Sequence, residues 1–275
     1  MTHPIVSTIA NGRPRCGDRF VDLSGRRFAT NLGGKGKPTV VFETGLGAES
    51  AEWAAVQDAI EPLTRVFRYD RSGRGGSDPA PGPRTALQMV EDLRLLLRLS
   101  GLPGPYLLVG HSFGGLIARL FAFHYPDEVA GLVLVDSMHE DQFEAFAPMF
   151  PPPAAGEPAE LTAMRSFWTQ GWRDPDATAE RIDMVASRRQ GHEITGLGDL
   201  PMRVLVAGSW SGLALAPEPV RVRLQALWGD LQDRLAGLST RAQVVEAPAS
   251  GHFMQRDAPQ AVADAIRSLL EELRP

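Results

Sequence analysis

Six short, uninterrupted apolar runs, separated by longer segments of helical pattern, constrain the fold of this chain most. Their interiors read TVVF, VFRY, YLLV, LVLV, VLVA and VV, within residues 38–43, 65–70, 106–110, 131–136, 203–208 and 243–247. Continuous apolar strands are typical of parallel sheets, which are buried on both faces. Their alternation with helical segments predicts an α/β fold, a mostly parallel sheet flanked by helices.

Further local signals complete the predicted sheet. Residues 18–23 and 27–32 flank the turn dipeptide Ser24-Gly25 and predict an antiparallel hairpin at one sheet edge. Thr85 and Gln88 form a capping-box pattern ahead of one helix, and the last helix is expected from about residue 259 to 273. With the six runs, the hairpin gives a sheet of about eight strands.

The longest interval between predicted strands lies between Asp136 and Arg203. It is about 65 residues long, too many for an ordinary crossover, and looks helical with a proline-rich break at 148–158. We therefore expect a core domain of residues 1–136 and 201–275, with a helical cap insertion at 137–200.

Composition narrows the possible partners and compartment. The formal net charge of −5 is spread over 275 residues without a run of like charge, which argues against nucleic acid or membrane surfaces as partners. The single cysteine, Cys16, rules out an intramolecular disulfide. No apolar run approaches the ~20 residues that span a bilayer. We expect a soluble cytoplasmic protein, a monomer or homodimer.

The sharpest chemical signal is Gly110-His111-Ser112-Phe113-Gly114, a full G-x-S-x-G between an apolar strand and a helical pattern. A nucleophile elbow requires this strand-turn-helix context. The turn is so tight that side chains two positions either side of the serine would collide, which explains both glycines. Ser112 is therefore the candidate nucleophile.

On this motif and its context, the chain resembles the α/β-hydrolase-fold serine hydrolases over nearly its whole length. In that family the elbow serine attacks an acyl carbonyl, and the triad runs in the order Ser, acid, His. The resemblance implies that His252, in Ser250-Gly251-His252-Phe253 after the last strand, is the general base.

The resemblance leaves the triad acid open. Many relatives carry it after the penultimate strand, where this chain has no carboxylate before Glu218. Others, including some haloalkane dehalogenases, carry it one strand earlier, where Asp136 stands; an aspartate also ends this strand in members where it has no catalytic duty. Asp136 is the first candidate, with Glu140, Asp141 and Glu218 in reserve, and His139 is expected in a loop near the site mouth.

The family also implies an oxyanion hole, made by the backbone N–H of Phe113 and a second N–H from the loop after the strand at 38–43. That loop reads Glu43-Thr44-Gly45-Leu46-Gly47, so Gly45 aligns with a family glycine and Leu46 with the donor. Threonine replaces the usual histidine at Thr44. Glu43 either orients this loop or is a solvated side chain.

Substrate contacts are expected from the insertion and from the elbow. Aromatic residues of the insertion recur at helical spacing, a pattern typical of core that also suits the wall of an apolar acyl pocket. The predicted substrate-binding residues are Gly45, His111, Phe146 and Trp168. The loop 69–78 resembles a turn support of the family.

The resemblance implies hydrolysis of a carboxylic ester or related acyl bond through an acyl-enzyme, with an apolar small-molecule substrate. The six histidines are scattered without metal-ligand spacing, and we expect neither metal nor cofactor. Two alternatives stay open. One is a cofactor-free perhydrolase or haloperoxidase-like enzyme, and the other is a weakly catalytic ligand-binding protein of the same fold.

Overall fold

The computed structural model describes residues 18–209 and 216–274. Cys16 lies outside the described residues, as do Trp210 and Ser211 beyond the seventh strand. Eight strands form one sheet in the order β1-β2-β4-β3-β5-β6-β7-β8. They are β1 (Asp18–Leu23), β2 (Arg26–Gly33), β3 (Thr39–Glu43), β4 (Val66–Tyr69), β5 (Tyr106–His111), β6 (Val129–Val135), β7 (Met202–Ala207) and β8 (Ala242–Ala247).

The pairing directions confirm the predicted fold class. The hairpin β1–β2 is antiparallel and joins β4 antiparallel, whereas every pair from β4 through β8 is parallel. Along β5, Leu108 packs into the hydrophobic cluster on one face of the sheet, and Leu107 and Val109 pack into the cluster on the other. Burial on both faces is the reason these strands read as continuous apolar runs.

Helices cover both faces. They are α1 (Ala54–Ile60), α2 (Ala86–Leu99), α3 (Phe113–His124), α4 (Gln142–Phe146), α5 (Ala159–Thr169), α6 (Met184–His192), α7 (Glu218–Ala236), α8 (Met254–Asp257) and α9 (Pro259–Glu272). The capping box before α2 is present, since the Thr85 hydroxyl accepts from the backbone N–H of Gln88, and the Gln88 side chain accepts from that of Thr85. None of the described helices combines the length and apolar character needed to cross a bilayer.

The last strand differs from the sequence expectation. A run buried on both faces was expected at 243–247, yet most of β8 is partly or fully exposed and Val244 is 42% exposed. The physical reason is its place in the sheet: β8 is an edge strand that pairs with β7 on one side.

The segment between β6 and β7 is helical, as expected, and is fastened to the rest of the chain. It carries α4, α5 and α6, and its aromatic residues share one hydrophobic cluster with α2, α3 and α7. Arg84 pairs with it through two backbone bonds, to the Arg181 carbonyl and from the Asp183 N–H, each 2.9 Å. The insertion therefore packs as part of the same core that supports the sheet.

Candidate active site

The elbow holds Ser112 at a sharp turn between β5 and α3. Its backbone has φ 52° and ψ −120°, a left-handed conformation that is strained for a residue other than glycine. A Cβ at Gly114 would lie 2.5 Å from the Glu43 and Thr44 carbonyl oxygens, and one at Gly110 would lie 2.5 Å from the Gly114 carbonyl oxygen. Close backbone packing around the turn thus explains why the serine is flanked by glycines.

The structure brings Asp136 and His252 together at the same end of the sheet. Asp136 directly follows β6 and is fully buried, and its Oδ2 lies 2.6 Å from His252 Nδ1. Its other oxygen, Oδ1, accepts hydrogen bonds from Trp228 Nε1 at 2.7 Å and from the Ala207 backbone N–H at 3.0 Å. Both oxygens are therefore held, which fixes the carboxylate against the imidazole.

The reserve carboxylates point elsewhere. Burial alone would raise the pKa of Glu140, but Arg119, 3.0 Å away, lowers that pKa to about 2. Asp141 pairs with Arg234 at 2.6 Å, and Glu218 is exposed at the start of α7. Among the candidates weighed from the sequence, Asp136 is the one placed against His252.

His139 lies in the loop between β6 and α4, as expected. It is buried, and its Nδ1 accepts the backbone N–H of Asp141 at 3.0 Å. Burial lowers the pKa of His139 to about 4, so its ring is neutral near pH 7.

His111 supports the His252 loop, and its expected contact with substrate stays a prediction. Its ring is buried, with Nε2 lying 2.9 Å from the His252 carbonyl oxygen. Its Nδ1 lies 3.2 Å from Gln255 Nε2, which also donates to Glu52. Because an amide nitrogen donates, Nδ1 must accept and Nε2 must carry the proton. Burial lowers the pKa of His111 well below its ordinary value, in keeping with this neutral tautomer.

The sequence pattern did not indicate a role for Gln255 or Glu52. Gln255 stands three positions after His252, and Glu52 lies 203 residues away from it along the chain. An acceptor for the Gln255 amide could not be inferred from local spacing.

The loop of residues 43–47 lies against the elbow. A Cβ at Gly45 would be 3.4 Å from Ser112 Cβ and 2.8 Å from His111 Nδ1, so Gly45 directly adjoins both residues. Leu46 is partly buried against the hydrophobic core. Phe113 is the first residue of α3, where a backbone N–H has no partner within the helix. This arrangement is compatible with the two oxyanion donors expected from the sequence.

Glu43 orients this loop, one of the two possibilities left open by the sequence. It is buried, accepts the Tyr69 hydroxyl at 2.6 Å, and pairs with Arg71 at 2.7 Å. Burial raises the pKa of Glu43, while Arg71 and Tyr69 oppose that rise. Within the loop 69–78, Asp70 accepts the backbone N–H of Gly76, and its other carboxylate oxygen accepts that of Ser50 from outside the loop.

Phe146 and Trp168 belong to an aromatic cluster behind the Asp136–His252 pair. Phe146 is fully buried, with ring centroids 5.0 Å from Trp168 and 6.0 Å from Trp228. Trp228 joins the cluster to the site, because its Nε1 bonds Asp136 and its ring lies 6.2 Å from that of His252. Phe146 and Trp168 are both buried in this structure, and their expected contact with substrate stays a prediction.

No group of three or more His, Cys, Asp or Glu side chains within residues 18–209 and 216–274 could hold a metal ion.

Comparison with known proteins agrees with this fold. A family model described as the alpha/beta hydrolase fold matches residues 38–178, which is more than half of the chain. The chain belongs to the α/β-hydrolase family. YqjL of Bacillus subtilis, an uncharacterized protein, is 30% identical over 234 residues, covering 83% of this chain and 81% of YqjL.

Two further matches carry functional names. RutD of Cronobacter turicensis, provisionally named a carbamate hydrolase, is 34% identical over 37% of this chain and 38% of RutD. The structure of a thermophilic esterase from Thermogutta terrifontis superposes with a TM-score of 0.65 at 22% identity, covering 94% of this chain and all of that chain. At that identity the likeness shows the fold. Family membership supports hydrolase activity for the chain.

Proposed function

We propose that this α/β hydrolase is a serine hydrolase that cleaves a carboxylic ester or a related acyl bond through an acyl-enzyme intermediate. The observation that carries the proposal is the 2.6 Å contact between Asp136 Oδ2 and His252 Nδ1, at the end of the sheet where the elbow presents Ser112. A buried carboxylate on one imidazole nitrogen leaves the other nitrogen to act as a base toward a serine hydroxyl.

The proposed reaction has two halves. Ser112 Oγ forms a bond to the acyl carbon while His252 Nε2 takes its proton, and the tetrahedral intermediate collapses as His252 returns that proton to the leaving alkoxide. Water then attacks the acyl-enzyme, with His252 taking its proton and passing it to Ser112 Oγ as the acid leaves. Asp136 stabilises the imidazolium in both halves, and the N–H groups of Leu46 and Phe113 hold the oxyanion.

An apolar acyl substrate suits the surroundings of the proposed triad. The aromatic cluster packs behind Asp136 and His252. Ester hydrolysis makes the smallest chemical demand, since an alkoxide or phenolate leaves more readily than an amine. The names of the Thermogutta terrifontis esterase and of RutD support the same class of acyl chemistry.

A pre-steady-state burst tests the proposal. We expect wild type mixed with excess p-nitrophenyl butyrate to release up to one equivalent of p-nitrophenol rapidly and then to turn over steadily, if deacylation is the slower half. Ser112→Ala, correctly folded by circular dichroism, should show neither phase. Stopped-flow absorbance measures both. Equal steady-state rates for wild type and Ser112→Ala would contradict the proposal.

A further inference from the structure

The Arg71 guanidinium donates hydrogen bonds to the loop of residues 43–47 from both of its terminal nitrogens. Its Nη1 donates to the Glu43 carboxylate and to the Thr44 carbonyl and hydroxyl oxygens at 2.6–2.9 Å. Its Nη2 donates to the Gly45 carbonyl oxygen at 2.6 Å. The guanidinium is buried, so water does not compete for these hydrogen bonds.

Glu180, from the insertion, completes this arrangement. Its carboxylate accepts Arg71 Nε at 2.6 Å and Nη2 at 3.0 Å, and the same Oε2 that accepts Nη2 accepts the backbone N–H of Gly47 at 2.6 Å. The Glu180 side chain is 0% exposed and that of Arg71 is 3% exposed. One carboxylate therefore fixes both the arginine and the far end of the loop.

Fixing the Gly45 carbonyl also fixes the next amide. In a trans peptide the C=O of one residue and the N–H of the next point in opposite directions. The Leu46 N–H, the expected oxyanion donor, must therefore point away from Arg71. Gly45, at the start of this peptide, adjoins Ser112, and Gly47, at the end of the loop, is held by Glu180.

We propose that Glu180 is a positioning residue that, through Arg71 and Gly47, sets the Leu46 N–H in the direction needed to stabilise the oxyanion. The insertion thereby holds part of the reaction site, beyond covering the sheet. The inference rests on the proposed serine hydrolase mechanism. Glu180 does not touch the reacting atoms in this account, and its effect reaches them through the loop.

The substitution Glu180→Gln tests this with little change in volume. A carboxylate accepts from Arg71 and Gly47 at once, whereas an amide turns its NH₂ against one of these donors. We expect the second-order rate of fluorophosphonate labelling to fall about 10-fold or more, since a lost oxyanion donor typically costs 10²–10³ in rate. For p-nitrophenyl butyrate, kcat should fall similarly when it is calculated from the concentration of active sites that the fluorophosphonate titrates. KM should stay within about two-fold, as expected for an interaction made in the transition state.

Glu157→Gln is the matched control. Glu157 is also a carboxylate of the insertion paired with an arginine, Arg165, at 2.6 Å, and its other hydrogen bonds are to Ala154 and Thr162. The Glu157→Gln variant should react with the fluorophosphonate at the wild-type rate, within about two-fold. This control separates the effect of losing an ion pair in the insertion from the effect of losing the loop geometry.

Hydrogen exchange of the peptide 43–49 gives a readout that is independent of activity. Exchange should accelerate in Glu180→Gln and stay unchanged in Glu157→Gln, because the Gly47 N–H loses its carboxylate partner. If Glu180→Gln does not fold, Glu180→Asp keeps the charge on a shorter side chain and carries the same expectations.

Wild-type labelling rate, kcat and loop exchange in a folded Glu180 variant would overturn the proposal. A wild type that never labels would instead contradict the serine hydrolase mechanism, and the positioning role would fall with it. In that case, accelerated loop exchange would show that Glu180 has a structural role alone.

Discussion

Asp136→Asn is expected to lower kcat for ester hydrolysis by about 10⁴, the loss typical of a triad acid replaced by its amide. The hydrogen bonds around Asp136 explain why. Trp228 Nε1 and the Ala207 N–H both donate to Oδ1, so the single oxygen of asparagine will occupy that position. Its NH₂ then faces His252 Nδ1, which must become an acceptor. The proton moves to Nε2, and the ring cannot take a proton from Ser112.

Steady-state kinetics on p-nitrophenyl butyrate measure this loss. Glu218→Gln is the control, because Glu218 is an exposed carboxylate at the start of α7 and its removal should leave kcat within about two-fold. Near-normal turnover by a folded Asp136→Asn would remove Asp136 from the mechanism.

Phe146→Ala is expected to destabilise the protein by about 3–5 kcal/mol, the usual range for a large aromatic side chain lost from a core. Phe146 is fully buried between Trp168 and Trp228, and no small rearrangement of two indole rings fills the space of a benzyl group. For a domain of this size the loss corresponds to a fall in Tm of about 10 °C.

Thermal unfolding followed by circular dichroism provides the measurement, with Phe20→Ala as the matched control. Phe20 is 62% exposed on β1, so the same truncation there should change stability by about 0.5 kcal/mol or less. A Phe146→Ala variant with wild-type Tm and altered preference among acyl chain lengths would instead identify Phe146 as a wall of the substrate pocket.

Features that depend on local pattern could be predicted from the sequence. The apolar runs predicted the parallel strands because burial on both faces leaves a continuous hydrophobic signature. The elbow could be predicted because its tight turn demands glycine at Gly110 and Gly114. The exposure of β8 could not, because an edge strand and a central one can share the same short run, here Val244 and Val245.

Features that depend on contacts between residues far apart in the chain could not be predicted from the sequence. Arg71 and Glu180 are 109 residues apart, and neither carries a local motif that predicts their ion pair. The identity of the triad acid stayed open because choosing among the candidate carboxylates requires knowing which one faces His252. The contact of the His111 ring with the His252 backbone, 141 residues away along the chain, likewise has no local sequence signal.

The central claim is that Ser112 is an activated nucleophile, and intact-mass spectrometry after treatment with a fluorophosphonate tests it most directly. We expect one adduct per chain on wild type and none on Ser112→Ala, because the reagent modifies a serine whose hydroxyl is deprotonated by a neighbouring base. Folded wild type without an adduct, or an equal adduct on Ser112→Ala, would contradict it.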